Sequence, residues 1–226
     1  MMTHGYFITG TDTEIGKTLV TRVLMTAIKK QGKRVAGMKP VACGCEETMA
    51  GLRNEDALKL MQHNTHDHDY SIINPYAFAL PIAPQFAAAE TGTVINLDTI
   101  VSAYKLLAGV TDYLFVEGIG GWCVPLDEDV MLADLVRMLD LSVILVVGLR
   151  LGCINHALLS TRSIMDDGMV LSGWIANRVD PDYLNIKQTL KCLEKKIPAP
   201  LIGCIEYQDP MIISDAIKGV NPALLV

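Results

Sequence analysis

Gly10-Thr11-Asp12-Thr13-Glu14-Ile15-Gly16-Lys17-Thr18 carries the residue types that cradle phosphate. Its glycines let backbone N–H groups turn inward around anionic oxygens, and a helix opening at Lys17 adds a partial positive charge. Lys17 can reach the β- and γ-phosphates, and the Thr18 hydroxyl can ligate Mg²⁺. Five residues separate Gly10 from Gly16, one more than the usual phosphate loop. A hard divalent cation also needs carboxylates. Glu117 ends the apolar run Tyr113-Leu114-Phe115-Val116, and Gly118, Gly120 and Gly121 follow, where close backbone approach to phosphate is possible. Asp56 fits a metal ligand and a helix N-terminal charge equally well. Lys39, before Pro40, stands where an ammonium can meet a transferring phosphoryl group.

The elements that must position these residues are short apolar runs alternating with helix-length amphipathic segments. Strands are predicted at 6–9, 34–39, 113–117, 143–148, 172–177 and 200–205. Helices are predicted at 17–31, 54–63, 97–108, 132–139, 154–167 and 182–196. This alternation predicts an α/β fold: one doubly wound, mostly parallel sheet with helices on both faces, spanning residues 1–226 as a single domain. In such sheets chemistry gathers at the carboxyl ends of the strands. The residues named above sit there. So do Gly152 to Asn155, Asn177 and Arg178. The stretch 64–84 reads as a polar, then proline-rich surface excursion.

Composition narrows the function classes. Half of the 226 residues are hydrophobic and 19% are charged, which excludes disorder for most of the chain. The best apolar run, Leu141 to Leu149, falls far short of the ~20 residues a membrane span needs. A formal net charge of −6 and no Lys/Arg cluster argue against a nucleic-acid partner. The chain enters its first apolar run at Tyr6 without a secretory leader, so a cytoplasmic protein is expected. Its six cysteines, none in a Cys-x-x-Cys pair, are expected to be reduced and mostly buried. His63, His66 and His68 read as a solvated loop rather than a metal site. The Met131–Met138 segment reads as core packing, and Lys191, Lys195 and Lys196 as the charged end of a helix.

Several ordered segments together resemble the ATP-dependent dethiobiotin synthetases: Phe7–Thr18, Gly37–Ala42, Gly51–Ala57, Asn74–Tyr76, Val116–Trp122, Val143–Val147, Leu151–Ala157, Gly173–Asn177 and Ile197–Leu201. The lengthened phosphate loop is part of that resemblance. It implies a P-loop NTPase-like core and a homodimer with shared active sites. It also implies a reaction in which 7,8-diaminononanoate, CO₂ and ATP give dethiobiotin, ADP and phosphate. The route passes through a carbamate and a carbamic-phosphoric anhydride. By position, the resemblance places ATP against Glu14 to Leu19, Asp56, Glu117 to Gly120, Asn177, Arg178 and Glu206 to Gln208. It places Mg²⁺ on Thr18, Asp56 and Glu117, and makes Lys39 and Lys17 the catalytic lysines. Thr13 and Cys43 would line the diamine and carbamate site. Gly152 and Asn155 would take the substrate carboxylate offered by the partner subunit's active site.

Three positions depart from the family pattern: Cys43 stands for Ser, Ile119 for Ala and Glu206 for Pro. The main rival is a partition or septum-positioning ATPase. Those proteins carry a lysine early in the phosphate loop, where this chain has Asp12. An amidoligase of the cobyrinate type would add a glutaminase domain for which 226 residues leave no room.

Overall fold

A computed structural model of the chain describes residues 3–225; Met1, Met2 and Val226, counted in the expected domain, lie outside the described residues. In chain order the strands are β1 His4–Gly10, β2 Val35–Met38, β3 Val41–Cys43, β4 Glu46–Thr48, β5 Gly51–Arg53, β6 Tyr76–Phe78, β7 Tyr113–Glu117, β8 Ser142–Gly148, β9 Leu171–Asn177 and β10 Leu201–Ile205. The α-helices are α1 Lys17–Lys29, α2 Glu55–Met61, α3 Tyr70–Ile73, α4 Pro84–Glu90, α5 Leu97–Ala108, α6 Leu132–Met138, α7 Cys153–Asp166, α8 Ile186–Lys196 and α9 Ile213–Ala216.

Six strands form the central sheet in the order β10-β9-β8-β1-β7-β2, every pairing parallel. The fold class expected from the sequence is therefore present. Side chains alternate between faces at the strand period of two. Phe7, Val143, Leu145 and Val147 enter one core; Tyr6, Ile8, Ile144 and Val146 enter the other. Helix α1 packs on the second face through Val20, Val23, Leu24 and Ile28. After β1 the chain crosses β7 to reach β2, whereas after β8 it proceeds to β9 on the opposite side. The loops leaving β1 and β8 therefore diverge, and a crevice opens at their carboxyl ends. Among the described residues no helix is long and apolar enough to cross a membrane.

Four expectations change. The second strand stops at Met38 because the Lys39 amide leaves the sheet and donates to the Ile73 carbonyl at 2.8 Å. Pro40 favours that extended exit. The stretch 64–84 is not simply a surface excursion. Its strand β6 pairs in parallel with β3, and Ile73, Asn74 and Phe78 are buried. The cysteines are all free, but only Cys45 and Cys153 are buried; Cys43, Cys192 and Cys204 are half-buried and Cys123 is exposed. Helix α8 begins at Ile186, four residues later than expected, behind Asn185 in the left-handed region at φ 60°.

Candidate active site

The phosphate loop continues the ladder of β1: Thr11 N–H donates to the Val146 carbonyl at 3.0 Å. The chain then reverses through Glu14 at φ 58° and Gly16 at φ 84°. At Gly16 a side chain would be strained and would also run into the Asn177 amide, so glycine is required there. Helix α1 starts at the next residue, which turns its N-terminus toward the cleft.

Four polar residues from four separate elements meet beside it. Glu117, at the end of β7, is 1% exposed, and Lys39, just past β2, is 4% exposed. Lys39 Nζ donates to Glu117 Oε1 at 2.7 Å and to the Gly118 carbonyl at 3.0 Å, and lies 3.5 Å from Asp56 Oδ2. Thr18, in the first turn of α1, donates its hydroxyl to Glu117 Oε1 at 2.9 Å. Asp56 projects from the start of α2, which Asn54 caps by accepting from Ala57 N–H at 3.2 Å. Burial opposes the charge on Lys39, but Glu117 and Asp56 outweigh it and hold the ammonium's pKa above its usual value. Burial would likewise raise Asp56; Lys39 and the Thr18 hydroxyl reverse that, and its carboxyl is held low. Lys17 is 7% exposed and donates to the Asp12 carbonyl at 2.9 Å. Desolvation, then the neighbouring Lys39, pulls its pKa down to about 8.

These residues open onto a cleft of about 930 Å³. Thr13, Glu14, Gly16, Cys43, Ile119 and Gly120 line it, so the structure gathers most of the expected site. Burial, with Cys45 nearby, pushes the Cys43 thiol up to about 11, so it faces the cleft as a weak S–H donor. Gly118 also has a packing reason that the sequence did not show: a Cβ there would meet Phe7 Cζ at 2.8 Å. Ile15 is buried, with its carbonyl accepting from Asn177 Nδ2 at 2.8 Å, and Leu19, in the first turn of α1, packs against the core. Both can offer a nucleotide little beyond backbone groups.

Asn177 therefore supports the loop from behind, and its Oδ1 is buried with no hydrogen-bond partner. Arg178 pairs with Glu206 at 3.3 Å on the same sheet edge. Glu206 and Tyr207 are exposed, and none of residues 206–208 lines the cleft. Gly152 and Asn155 stand exposed at the start of α7, also away from the cleft of their own chain.

Sequence reasoning missed three contributors. Asn74 is buried and donates to the Lys39 carbonyl at 2.6 Å, while Tyr70 OH donates to Asn74 Oδ1 at 2.8 Å. The segment Pro81–Pro84 walls the cleft. Arg150 forms an ion pair with Asp12. An asparagine directly before a proline was the only local sign of the first, and the ion pair left none.

The oxygen donors suit Mg²⁺. Glu117 Oε2 is buried without a partner, and the Thr18 hydroxyl and the Asp56 carboxylate adjoin it. Mg²⁺ is commonly held by one or two carboxylates together with substrate phosphates. Among the described residues no cluster of three or more His, Cys, Asp or Glu forms, and His63 Nδ1 instead meets the Lys59 carbonyl at 3.0 Å.

Comparison with known proteins decides the family. The ATP-dependent dethiobiotin synthetase BioD of Xylella fastidiosa (strain 9a5c) is 44% identical over 225 residues, covering 100% of this chain and 96% of that protein. The protein of the same name from Xanthomonas axonopodis pv. citri (strain 306) is 46% identical, covering 92% of this chain and 93% of its own. The chain belongs to the dethiobiotin synthetase family. The family described as AAA domain also matches, over residues 4–212. Among solved structures, a ParA family ATPase from Chlorobium tepidum TLS aligns at TM-score 0.58 and 16% identity, covering 97% of this chain and 91% of that one. MinD cell division protein from Aquifex aeolicus aligns at TM-score 0.56 and 18% identity, covering 96% and 87%. At those identities the likeness is one of fold. The dethiobiotin synthetases match at more than twice the identity, which separates this chain from those fold neighbours.

Proposed function

We propose that this chain is an ATP- and Mg²⁺-dependent dethiobiotin synthetase, one domain per chain, acting in the cytoplasm as a homodimer on 7,8-diaminononanoate, CO₂ and ATP. The observation that carries the reading is the buried Lys39, held charged between Glu117 and Asp56 beside the phosphate loop.

The proposed chemistry has three steps. One substrate amine attacks CO₂ and loses a proton, giving a carbamate. A carbamate oxygen attacks the γ-phosphorus of ATP, forming an anhydride as the bond to ADP breaks. The second amine attacks the carbamate carbon, phosphate leaves, and the ureido ring closes. Phosphoryl transfer depends mainly on positioning and on charge stabilisation. Lys17 and Lys39 supply two cations on one side of the cleft, and the N–H groups at the start of α1 supply a third anion-binding element. Lys39 is held protonated, so it orients oxygens and does not accept the amine proton. Thr13 and Cys43 line the carbamate side. Thr18, Asp56 and Glu117 would hold Mg²⁺, which neutralises phosphate charge when bound. The exposed start of α7, at Gly152 and Asn155, suits a carboxylate of a diamine bound in the other protomer.

The test is ADP release from ATP, Mg²⁺ and bicarbonate, with and without the diamine. Turnover is expected only with the diamine, with dethiobiotin identified by mass. Diamine-independent hydrolysis stimulated by DNA or lipid would overturn the assignment.

A further inference from the structure

The phosphate loop is tied to the rest of the sheet edge by Asp12. This one residue uses three acceptor atoms in three directions. Its Oδ1 accepts from Thr13 N–H at 2.8 Å, turning the loop. Its backbone carbonyl accepts from Lys17 Nζ at 2.9 Å. Its Oδ2 pairs with the Arg150 guanidinium. Arg150 follows β8, the neighbour of β1 in the sheet, where Gly10 pairs with Val146. Its own carbonyl accepts from Cys153 N–H at 3.1 Å, at the first residue of α7.

Asp12 is a liability in a phosphate loop. Its carboxylate is an anion on the loop that must receive a triphosphate. Its charge also raises the Lys17 pKa, which helps keep that lysine protonated but draws the ammonium that should meet those phosphates toward the carboxylate. Something must both neutralise the carboxylate and hold it turned away. Arg150 does both: it supplies a positive charge and fixes Oδ2 on the β8 side of the loop.

We propose that Arg150 is a positioning residue for ATP: by pairing with Asp12 it keeps that carboxylate neutralised and turned away from the phosphates, and keeps the loop set for Lys17. The inference rests on the nucleotide reading above. It gives Arg150 no direct contact with substrate and no part in bond making.

A double-mutant cycle on the full-length protein tests it, with Mg·ATP affinity measured by calorimetry and by the KM for ATP. Arg150→Gln is expected to raise both Kd and KM about fivefold in dilute buffer, with kcat within about twofold, the upper range for a partly exposed ion pair. In the Asp12→Asn background, which has no charge to neutralise, Arg150→Gln should cost less than about twofold. The penalty should also shrink between low salt and about 0.5 M salt, because exposed charges are screened. A merely structural role for Arg150 would give a penalty that is independent of salt and of residue 12. An unchanged Kd, or equal costs in both backgrounds, overturns the proposal while leaving the enzymatic assignment standing. A wild-type protein that binds no ATP at all overturns the assignment and this inference with it.

Discussion

Replacing Lys39 with Met exposes how much of the site is held by one charge. Lys39 and Glu117 are 4% and 1% exposed, and their ion pair spans 2.7 Å. In Lys39→Met the volume is nearly kept, but Glu117 becomes a buried carboxylate whose one remaining side-chain donor is the Thr18 hydroxyl. Asp56 loses its cation as well. Breaking a buried pair from one side costs about 3–5 kcal/mol. That is a large share of the roughly 5–15 kcal/mol that keeps a domain folded. At about 2–4 °C per kcal/mol for a chain of this size, the melting temperature should fall by about 10 °C. Urea unfolding at pH 7, without nucleotide or metal, is the assay. The double variant Lys39→Met/Glu117→Gln removes both charges. It should recover at least about 2 kcal/mol of the loss, because no bare carboxylate stays at position 117. Added Mg²⁺ should stabilise Lys39→Met more than the wild type, since the cation replaces the missing charge. A loss below about 1 kcal/mol, or strict additivity of the two substitutions, would refute the claim that this pair is buried and mutually dependent.

Other outcomes follow from the same geometry. Glu117→Gln should raise the Mg²⁺ concentration for half-maximal turnover by more than about tenfold, and an unchanged titration would place the metal elsewhere. Arg34 donates to Asp112 through its backbone and its guanidinium, and these bonds hold the Asp112 carboxyl down at about 2 against an ordinary 3.8. A depressed acid stabilises fully above its unfolded pKa and loses that contribution as pH falls through its folded one. The stability difference between wild type and Asp112→Asn should therefore be constant above about pH 4 and vanish towards pH 2; a difference that persists at pH 2 would contradict it. Finally, Lys17→Ala inactivates a chain's own phosphate loop, whereas Asn155→Ala weakens what it offers its partner. Mixing equal amounts should restore about one site in four after subunit exchange, as random pairing in a two-fold dimer requires. No recovery after proven exchange would sink the shared site.

What could be read from the sequence divides along a physical line. The six central strands were legible because parallel strands buried on both faces are continuous apolar runs. Their carboxyl ends then located Lys17, Thr18, Lys39 and Glu117 without any three-dimensional information. Asp56 was ambiguous from its local pattern, since an acid in a first helical turn satisfies the dipole whether or not it meets a metal; the family resemblance favoured the metal, and its approach to Lys39 and Thr18 is consistent with that. The local pattern was silent where the partner is distant in sequence. Asn74 holds the Lys39 carbonyl across 35 positions, and Arg150 holds Asp12 across 138. Such residues act through where the fold brings them, and neither spacing nor period encodes that. The same limit explains Gly118, whose missing side chain accommodates Phe7 from the adjacent strand. It also explains why Lys39 is expected at a strand end facing phosphate, but nothing near it in the sequence shows that it is enclosed. Two acids contributed by α2 and β7 make that enclosure tolerable, and they also fix the protonation of the residue. A lysine so held carries its charge before any substrate arrives. The site is thus set for an anion in advance, and Lys39 is not the group that takes the proton released by the attacking amine.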